Sequence, residues 1–123
     1  MRWSRDKEDA DGAWSWGSPR ACAAAEWNGT VHPFLEECRR KRWSEIDAER
    51  TGTNWRRKKH IHYSFDQIIH EAYERLIELQ LDDFSPDIFR FRLSGKRRLY
   101  GFRTDPVFFM VWFDPDHRLY KPK

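Results

Sequence analysis

Two short segments of the sequence carry the residue types needed for acid–base and phosphate chemistry. The first reads KKHIH over residues 58–62, so two lysines directly precede two histidines. The second reads DPDHRLY over residues 114–120 and includes an acid, a histidine and an arginine. Histidine exchanges protons near neutral pH, and Lys and Arg bind phosphate oxygens. The two segments together predict a site for an anionic substrate if the fold brings them into one cleft.

RNA cleavage is the reaction that these groups favour. One histidine takes the proton of the 2′-hydroxyl, the other protonates the leaving oxygen, and arginine holds the phosphate. We therefore predict His60 and His117 as the acid and base, with no metal and no cofactor. Two alternatives stay open: His60 and His62 flank a loop while His117 caps a turn, without chemistry, or the pair binds a metal with Asp116 or His117.

Basic residues accompany both segments. Arginine supplies 16 of the 23 cationic side chains, and the formal net charge is +3. Tyr100 and Phe102 lie between the arginines of the C-terminal half, an interleaving that suits single-stranded RNA, where bases stack and Arg meets phosphate. The alternative is cross-strand pairing with acids from the helices. The predicted nucleic-acid-binding residues are Arg56, Arg57, Lys58, Lys59, Arg90, Arg92, Arg97, Arg98 and Arg103.

The elements that must position these residues indicate an α+β fold. We predict two helices, residues 32–49 and 64–81, followed by a three-stranded antiparallel meander. Ser64 and Gln67 form the sequence of a capping box for the second helix. The strands are residues 88–93, 97–103 and 107–113, and alternation in the first predicts one covered face. The third is apolar on both faces, so an extra strand from the N-terminal segment is expected beside it.

Composition bounds the class of protein. A chain of 123 residues predicts one core, with residues 1–30 as a tryptophan-rich N-terminal arm and residues 31–123 as a single domain. The two cysteines and the lack of an apolar leader or membrane-spanning run favour a cytoplasmic protein. The sequence contains no phosphate-binding glycine loop, nucleophile elbow, paired CxxC or HExxH motif, which removes the common cofactor enzymes.

The C-terminal half of the chain resembles two groups of proteins. Residues 91–103 read FRLSGKRRLYGFR and residues 107–120 read VFFMVWFDPDHRLY. From His60 onward these stretches look like a group of short uncharacterised prokaryotic proteins. The predicted element order, basic sheet and terminal His and Tyr are also similar to RelE/ParE-like toxins, many of which cut messenger RNA on the ribosome. That resemblance implies phosphate binding by Arg97 and Arg98 and catalytic roles for His117 and Tyr120.

The leading interpretation is a toxin-like, metal-independent ribonuclease or RNA-binding module whose partner is RNA or a nucleic-acid-bound protein complex. The runner-up is a non-enzymatic phage or mobile-element protein that inhibits a nucleic-acid-handling complex. The tryptophans of the arm motivate it, since Trp and Arg are enriched in binding hot spots. A DNA-binding regulator is the weakest alternative because the sequence lacks helix-turn-helix spacing.

Overall fold

The computed structural model of the protein describes residues 1–11, 24–51 and 54–121, with only the backbone at 54–56. Predictions that involve Trp14, Trp16, Cys22 and the side chain of Arg56 lie outside the described residues. The described chain has an α+β fold. Its strands are β1 (Arg2–Ser4), β2 (Arg50–Thr51), β3 (Asn54–Lys58), β4 (Ile61–Ser64), β5 (Asp87–Arg92), β6 (Arg98–Thr104) and β7 (Val107–Asp114). Five of them form the central sheet in the order β1-β7-β6-β5-β4, and β2 and β3 form a separate hairpin.

Helices cover both faces of this sheet. The helices are α1 (Ala24–Glu26), α2 (His32–Arg39), α3 (Trp43–Ala48) and α4 (His70–Glu78), and a π-helical turn, Trp27–Val31, joins the first two. The buried residues of α2 and α3 join Phe89 and Phe91 in a first core cluster. Those of α4 join Ile88 and Trp112 in a second cluster. Since Ile88 and Phe89 are adjacent in β5 and point to opposite faces, the sheet is the middle layer of three.

The predicted meander is present but is part of a larger sheet. The three predicted strands are β5, β6 and β7, which pair consecutively and antiparallel. β4 adds an antiparallel strand at one edge, and β1 pairs in parallel with β7 at the other. The prediction that the first strand is covered on one face only was wrong, because Arg90 is only 6% exposed. Alternation of Phe and Arg predicts a buried face and a solvent-exposed face, but in this strand the arginine face is also covered.

The first predicted helix, residues 32–49, is interrupted. α2 ends at Arg39 and α3 begins at Trp43, with an extended Arg42 (φ −81°, ψ 153°) between them. The Glu45 carboxylate accepts a hydrogen bond from the Arg42 backbone N–H, which starts the new helix and lowers the pKa of Glu45. The break lets Leu35 of α2 and Trp43 of α3 both pack on the first cluster.

The second predicted helix begins six residues later than expected. Ser64 does form a capping box with Gln67, but the box caps a 3₁₀ turn, Phe65–Gln67, rather than a long helix. Ile68 is then extended because it pairs with Tyr120 in an isolated antiparallel bridge. The stretch between the two predicted helices likewise contains parts of β2, β3 and β4. Local capping signals were correct here, whereas the pairing with a distant residue was not encoded locally.

The described part of the N-terminal arm is built into the domain. β1 lies beside β7, so the expected extra strand is present. Asp9 is fully buried, its backbone N–H donates to the Val111 carbonyl at 3.0 Å, and its carboxylate accepts from Arg75 and Trp112. Trp3 and Trp27 pack against the first core cluster. Within the described residues, no helix is long and apolar enough to cross a membrane.

Candidate anion-binding site

The pleat of β5 and β6 places arginine and tyrosine side chains on the α4 side of the sheet. Arg90 lies opposite Tyr100, and Arg92 lies opposite Arg98. Arg98 in turn lies opposite Asp114 of β7. Because directly opposed residues of paired strands point to the same face, these five side chains form two adjacent rows. The row that contains Arg98 ends at Asp114, the last residue of β7, where the C-terminal segment begins.

Residues 115–120 cover one end of these rows. The Asp114 carboxylate, which is buried, accepts a hydrogen bond from the Leu119 N–H at 2.8 Å and so closes the turn that carries His117. His117 has a φ of 56°, an uncommon conformation for a residue with a Cβ. The Nδ1 atom of His117 is buried in this turn, and no hydrogen-bond partner for it occurs among the described residues. Strain of this kind, about 1–3 kcal/mol, clusters at functional sites.

Ring contacts connect this turn to the sheet. The His117 and Tyr120 rings are stacked, with centroids 5.9 Å apart and an interplanar angle of 7°. Tyr120 stacks on Tyr63 at 5.0 Å, and Tyr63 lies 6.3 Å from Tyr100. The guanidinium carbon of Arg90 is 5.5 Å from the Tyr63 ring centroid. We call the resulting group the basic–aromatic site; its members are Arg90, Arg98, Tyr63, Tyr100, His117 and Tyr120.

The two arginines of the basic–aromatic site are buried. Each is 6% exposed, and the Nε of each lacks a hydrogen-bond partner. Arg90 Nη2 donates to the Lys59 carbonyl at 3.0 Å, and Arg98 Nη1 donates to two carbonyls of its own turn. Within the described part of the chain, neither forms an ion pair with a carboxylate. Burial, followed by the charges of Arg90 and Arg92, lowers the pKa of Arg98. The buried Asp114 carboxylate lies opposite Arg98 in the sheet, but it accepts a hydrogen bond from the Leu119 N–H and forms no ion pair with Arg98 in the described structure.

Burial favours the neutral forms of His117, Tyr63 and Tyr100. Burial, followed by the charge of Arg98, lowers the pKa of His117. Burial raises the pKa of Tyr63 and, more strongly, that of Tyr100, whose hydroxyl has no partner. A neutral imidazole accepts a proton and a neutral phenol donates one. The site therefore offers an anion two buried cations, one base and several proton donors.

His60, the second predicted catalytic residue, lies elsewhere. Its side chain is fully buried against Phe34 and Phe91 of the first core cluster, with ring centroids 5.9 and 5.0 Å away. Nδ1 accepts a hydrogen bond from the Arg92 backbone N–H at 3.0 Å. Burial, followed by the Lys59 charge, lowers the pKa of His60 to about 3. No contact joins His60 to His117 in the described chain, and His60 instead holds the strand from which Arg90 and Arg92 project.

Three of the predicted phosphate-binding residues have other partners. Arg97 forms an ion pair with Glu26, with Nε 2.9 Å from the carboxylate. Arg103 binds Asp47 through both terminal nitrogens, binds Asp105, and lies 3.9 Å above the Trp43 ring. Lys59 lies 3.8 Å from Glu49. Each of these three cations therefore already has a carboxylate partner.

The remaining predicted cations are less constrained. Arg57 and Lys58 are exposed on β3, in the separate hairpin. Arg92 borders the basic–aromatic site beside Arg98. The metal alternative has no geometric support in the described residues, where no group of three or more His, Cys, Asp or Glu side chains is arranged to hold a metal.

Tyr63 is the member of this region that the sequence did not single out. The two-residue spacing within each strand was a usable signal that these side chains share a face, namely Arg90 with Arg92 and Arg98 with Tyr100. It needed the strand register to show that all four share one face.

Comparison with protein-family models, curated proteins and solved structures gives no match for this chain. The similarity to RelE/ParE-like toxins therefore stays a prediction from the sequence. A function for this chain is therefore inferred from the basic–aromatic site itself.

Proposed function

We propose that this protein is an RNA-binding module that cleaves single-stranded RNA at the basic–aromatic site by metal-independent, toxin-like chemistry. The observation that carries the proposal is the pair of buried arginines, Arg90 and Arg98, without a carboxylate partner in the described residues. A buried charge is costly unless a counter-ion compensates it, so the site is suited to a bound anion. Phosphate accepts the forked hydrogen bonds that guanidinium donates.

Aromatic side chains favour RNA over a small anion. Tyr63 and Tyr120 stack on one another beside the arginines, and Tyr120 is partly exposed. Bases of an unpaired strand stack on such rings with little dependence on sequence. An RNA strand would therefore place a phosphate on the arginines and a neighbouring base on the tyrosines.

The groups of the site supply each step of RNA cleavage. Neutral His117 accepts the proton of the 2′-hydroxyl, whose oxygen attacks the adjacent phosphorus. Arg90 and Arg98 stabilise the added negative charge on the phosphorane. The bond from phosphorus to the 5′-oxygen breaks, and that oxygen takes a proton from the Tyr120 phenol, leaving a 2′,3′-cyclic phosphate and a 5′-hydroxyl. Water returns the proton from His117 to the tyrosine.

The decisive experiment compares Arg98→Met with Arg97→Met. The two residues are adjacent, but Arg97 is paired with Glu26 while Arg98 faces the site. Hydrogen bonds to charged groups contribute about 1.5–3 kcal/mol, so Arg98→Met should weaken binding of a single-stranded RNA roughly 10- to 100-fold. Arg97→Met should bind like the wild type. Fluorescence anisotropy measures the affinity, and circular dichroism checks the fold.

Cleavage is tested on the same RNA and on a matched strand with one 2′-deoxy sugar at the cleavage position. The wild type should cut the first to a cyclic phosphate and bind the second without cutting it. His117→Ala should bind the RNA and leave it intact. Equal affinities of the two arginine variants, or full cleavage by His117→Ala, would exclude the proposed site.

The inhibitor alternative makes a different prediction from the same assays. It expects protein binding through the arm and no RNA cleavage by any variant. Trp3 and Trp27, the described tryptophans of the arm, contact the domain's own first core cluster. Part of the aromatic surface that motivated this alternative therefore serves the fold.

A further inference from the structure

A cavity of about 400 Å³ lies beside the basic–aromatic site and is not used by the chemistry above. Its volume falls within the range of pockets that hold small ligands, about 300–1,000 Å³. Two aromatic rings, one aliphatic side chain and three polar side chains surround it. They are Phe65, Tyr73, Ile68, Asp66, His70 and Lys121.

Backbone pairing fixes this cavity next to Tyr120. Ile68 forms its antiparallel bridge with Tyr120, and the Lys121 N–H donates to the Gln67 carbonyl at 2.8 Å. The C-terminal segment thus passes from the stacked Tyr120 ring directly to the cavity lining at Lys121. The cavity and the basic–aromatic site are therefore neighbours along the C-terminal segment.

The lining suits a flat heterocycle. The Phe65 and Tyr73 rings lie 5.7 Å apart at an interplanar angle of 39°, and Ile68 adds an apolar wall. Asp66 accepts a hydrogen bond from the Ser64 hydroxyl through Oδ1. Its Oδ2 has no partner among the described residues. His70 pairs with Glu74 at 2.6 Å, so Asp66 is the open acceptor of the cavity.

We propose that this cavity binds the base of the nucleotide next to the phosphate held by Arg90 and Arg98, and that guanine is the preferred base. The inference rests on the proposed RNA function and adds a specificity pocket to it. Guanine presents two adjacent N–H donors on its Watson–Crick edge, which match the two oxygens of the Asp66 carboxylate. Adenine and cytosine present one amino group there. Tyr73 and Phe65 supply the stacking surface.

The test uses five single-stranded RNAs that differ at one position, which carries guanine, adenine, cytosine, uracil or no base. Stacking of one base should make the guanine strand bind about 5- to 100-fold more tightly than the abasic strand. Asp66→Asn should remove the preference for guanine and keep the difference from the abasic strand. The amide side chain of this variant retains an oxygen for the Ser64 hydroxyl, so local structure is preserved.

Tyr73→Leu and Phe65→Leu test the stacking surface, and each keeps an apolar side chain against loss of fold. Both should reduce binding of all four base-containing strands toward the abasic level. Arg98→Met provides the contrast, because it should weaken all five strands, including the abasic one. Equal binding of all five by the wild type, with Arg98→Met still weaker, would overturn the base pocket and leave the phosphate site standing. Failure of the wild type to bind any RNA would overturn both.

Discussion

The imidazole of His117 lies parallel to the phenol of Tyr120, with 5.9 Å between the ring centroids. The stacking places a proton acceptor and a proton donor side by side at the edge of a site with two buried arginines. Both rings come from one short turn, which the Asp114 carboxylate closes through the Leu119 N–H. One short segment, residues 114–120, thus positions both catalytic candidates, while the phosphate-binding arginines come from the sheet.

The pH dependence of cleavage should report His117. Because burial and Arg98 lower its pKa below 6.5, the imidazole is neutral at pH 7 and the rate should fall only in more acidic solution. Arg98→Lys keeps the positive charge and should keep that acid limb in place. Arg98→Met removes the charge, so the limb should move to higher pH. Single-turnover cleavage rates from about pH 5 to 8 measure the position of this acid limb. The same acid limb in the wild type and in Arg98→Met would contradict the assignment of His117 as the base.

His60 should make folding sensitive to acid. Its folded-state pKa is about 3, compared with 6.5 for an ordinary histidine. Above pH 6.5 the His60 imidazole is neutral in both the folded and the unfolded chain. Below pH 6.5 the imidazole of the unfolded chain binds a proton, which the folded chain excludes until about pH 3. Stability should therefore fall by several kcal/mol as the pH decreases through this window.

His60→Asn isolates that effect, since the new side chain has an acceptor for the Arg92 N–H but does not titrate. Urea unfolding of both proteins between about pH 7 and 4 should show a shallower loss of stability for the variant. Parallel curves for the two proteins would contradict the assignment of His60 as a buried neutral group.

Asp9 should be a major stabilising residue of the N-terminal segment. Its carboxylate is fully buried and accepts hydrogen bonds from Arg75 at 2.7 Å and from the Trp112 indole at 2.9 Å. Asp9→Ala leaves both donors without their partner and should cost about 3 kcal/mol of unfolding free energy. Asp6→Ala, an exposed change nearby, should stay within about 0.5 kcal/mol. A loss no greater than that of the control would show that β1 is held without Asp9.

Gly101 should be intolerant of a side chain. The ladder between β6 and β7 shifts register at Tyr100 and Gly101, and a Cβ at residue 101 would meet the Phe109 carbonyl oxygen at 2.3 Å. Gly101→Ala should therefore destabilise the protein by about 1–3 kcal/mol and weaken RNA binding through displacement of Tyr100. Gly29→Ala is the matched control, because a Cβ there meets nothing within 4 Å. Thermal unfolding of both variants, together with RNA anisotropy, checks the contrast.

The sequence by itself determined the three C-terminal strands and the side-chain parity within them. Alternation is a local property of extended chain, so Arg90 and Arg92 share a face whatever the rest of the molecule does. The sequence also identified residues 114–120 as a candidate functional segment. Only the tertiary structure decided which of the predicted cations remain available. Arg97 and Arg98 are neighbours in sequence, yet Arg97 pairs with Glu26, whereas Arg98 is buried on the α4 side of the sheet and forms no ion pair among the described residues.

The same distinction separates the two histidines. In sequence His60 and His117 are equivalent, each beside cations. In the structure His60 is enclosed by Phe34 and Phe91, while the His117 ring stacks on Tyr120 and the charge of Arg98 helps to lower its pKa. The helix start at Ser64 was also visible locally, but the pairing of Ile68 with Tyr120 delayed the helix. Propensity and capping act over a few residues, whereas burial, register and charge partners depend on residues that meet only when the chain folds.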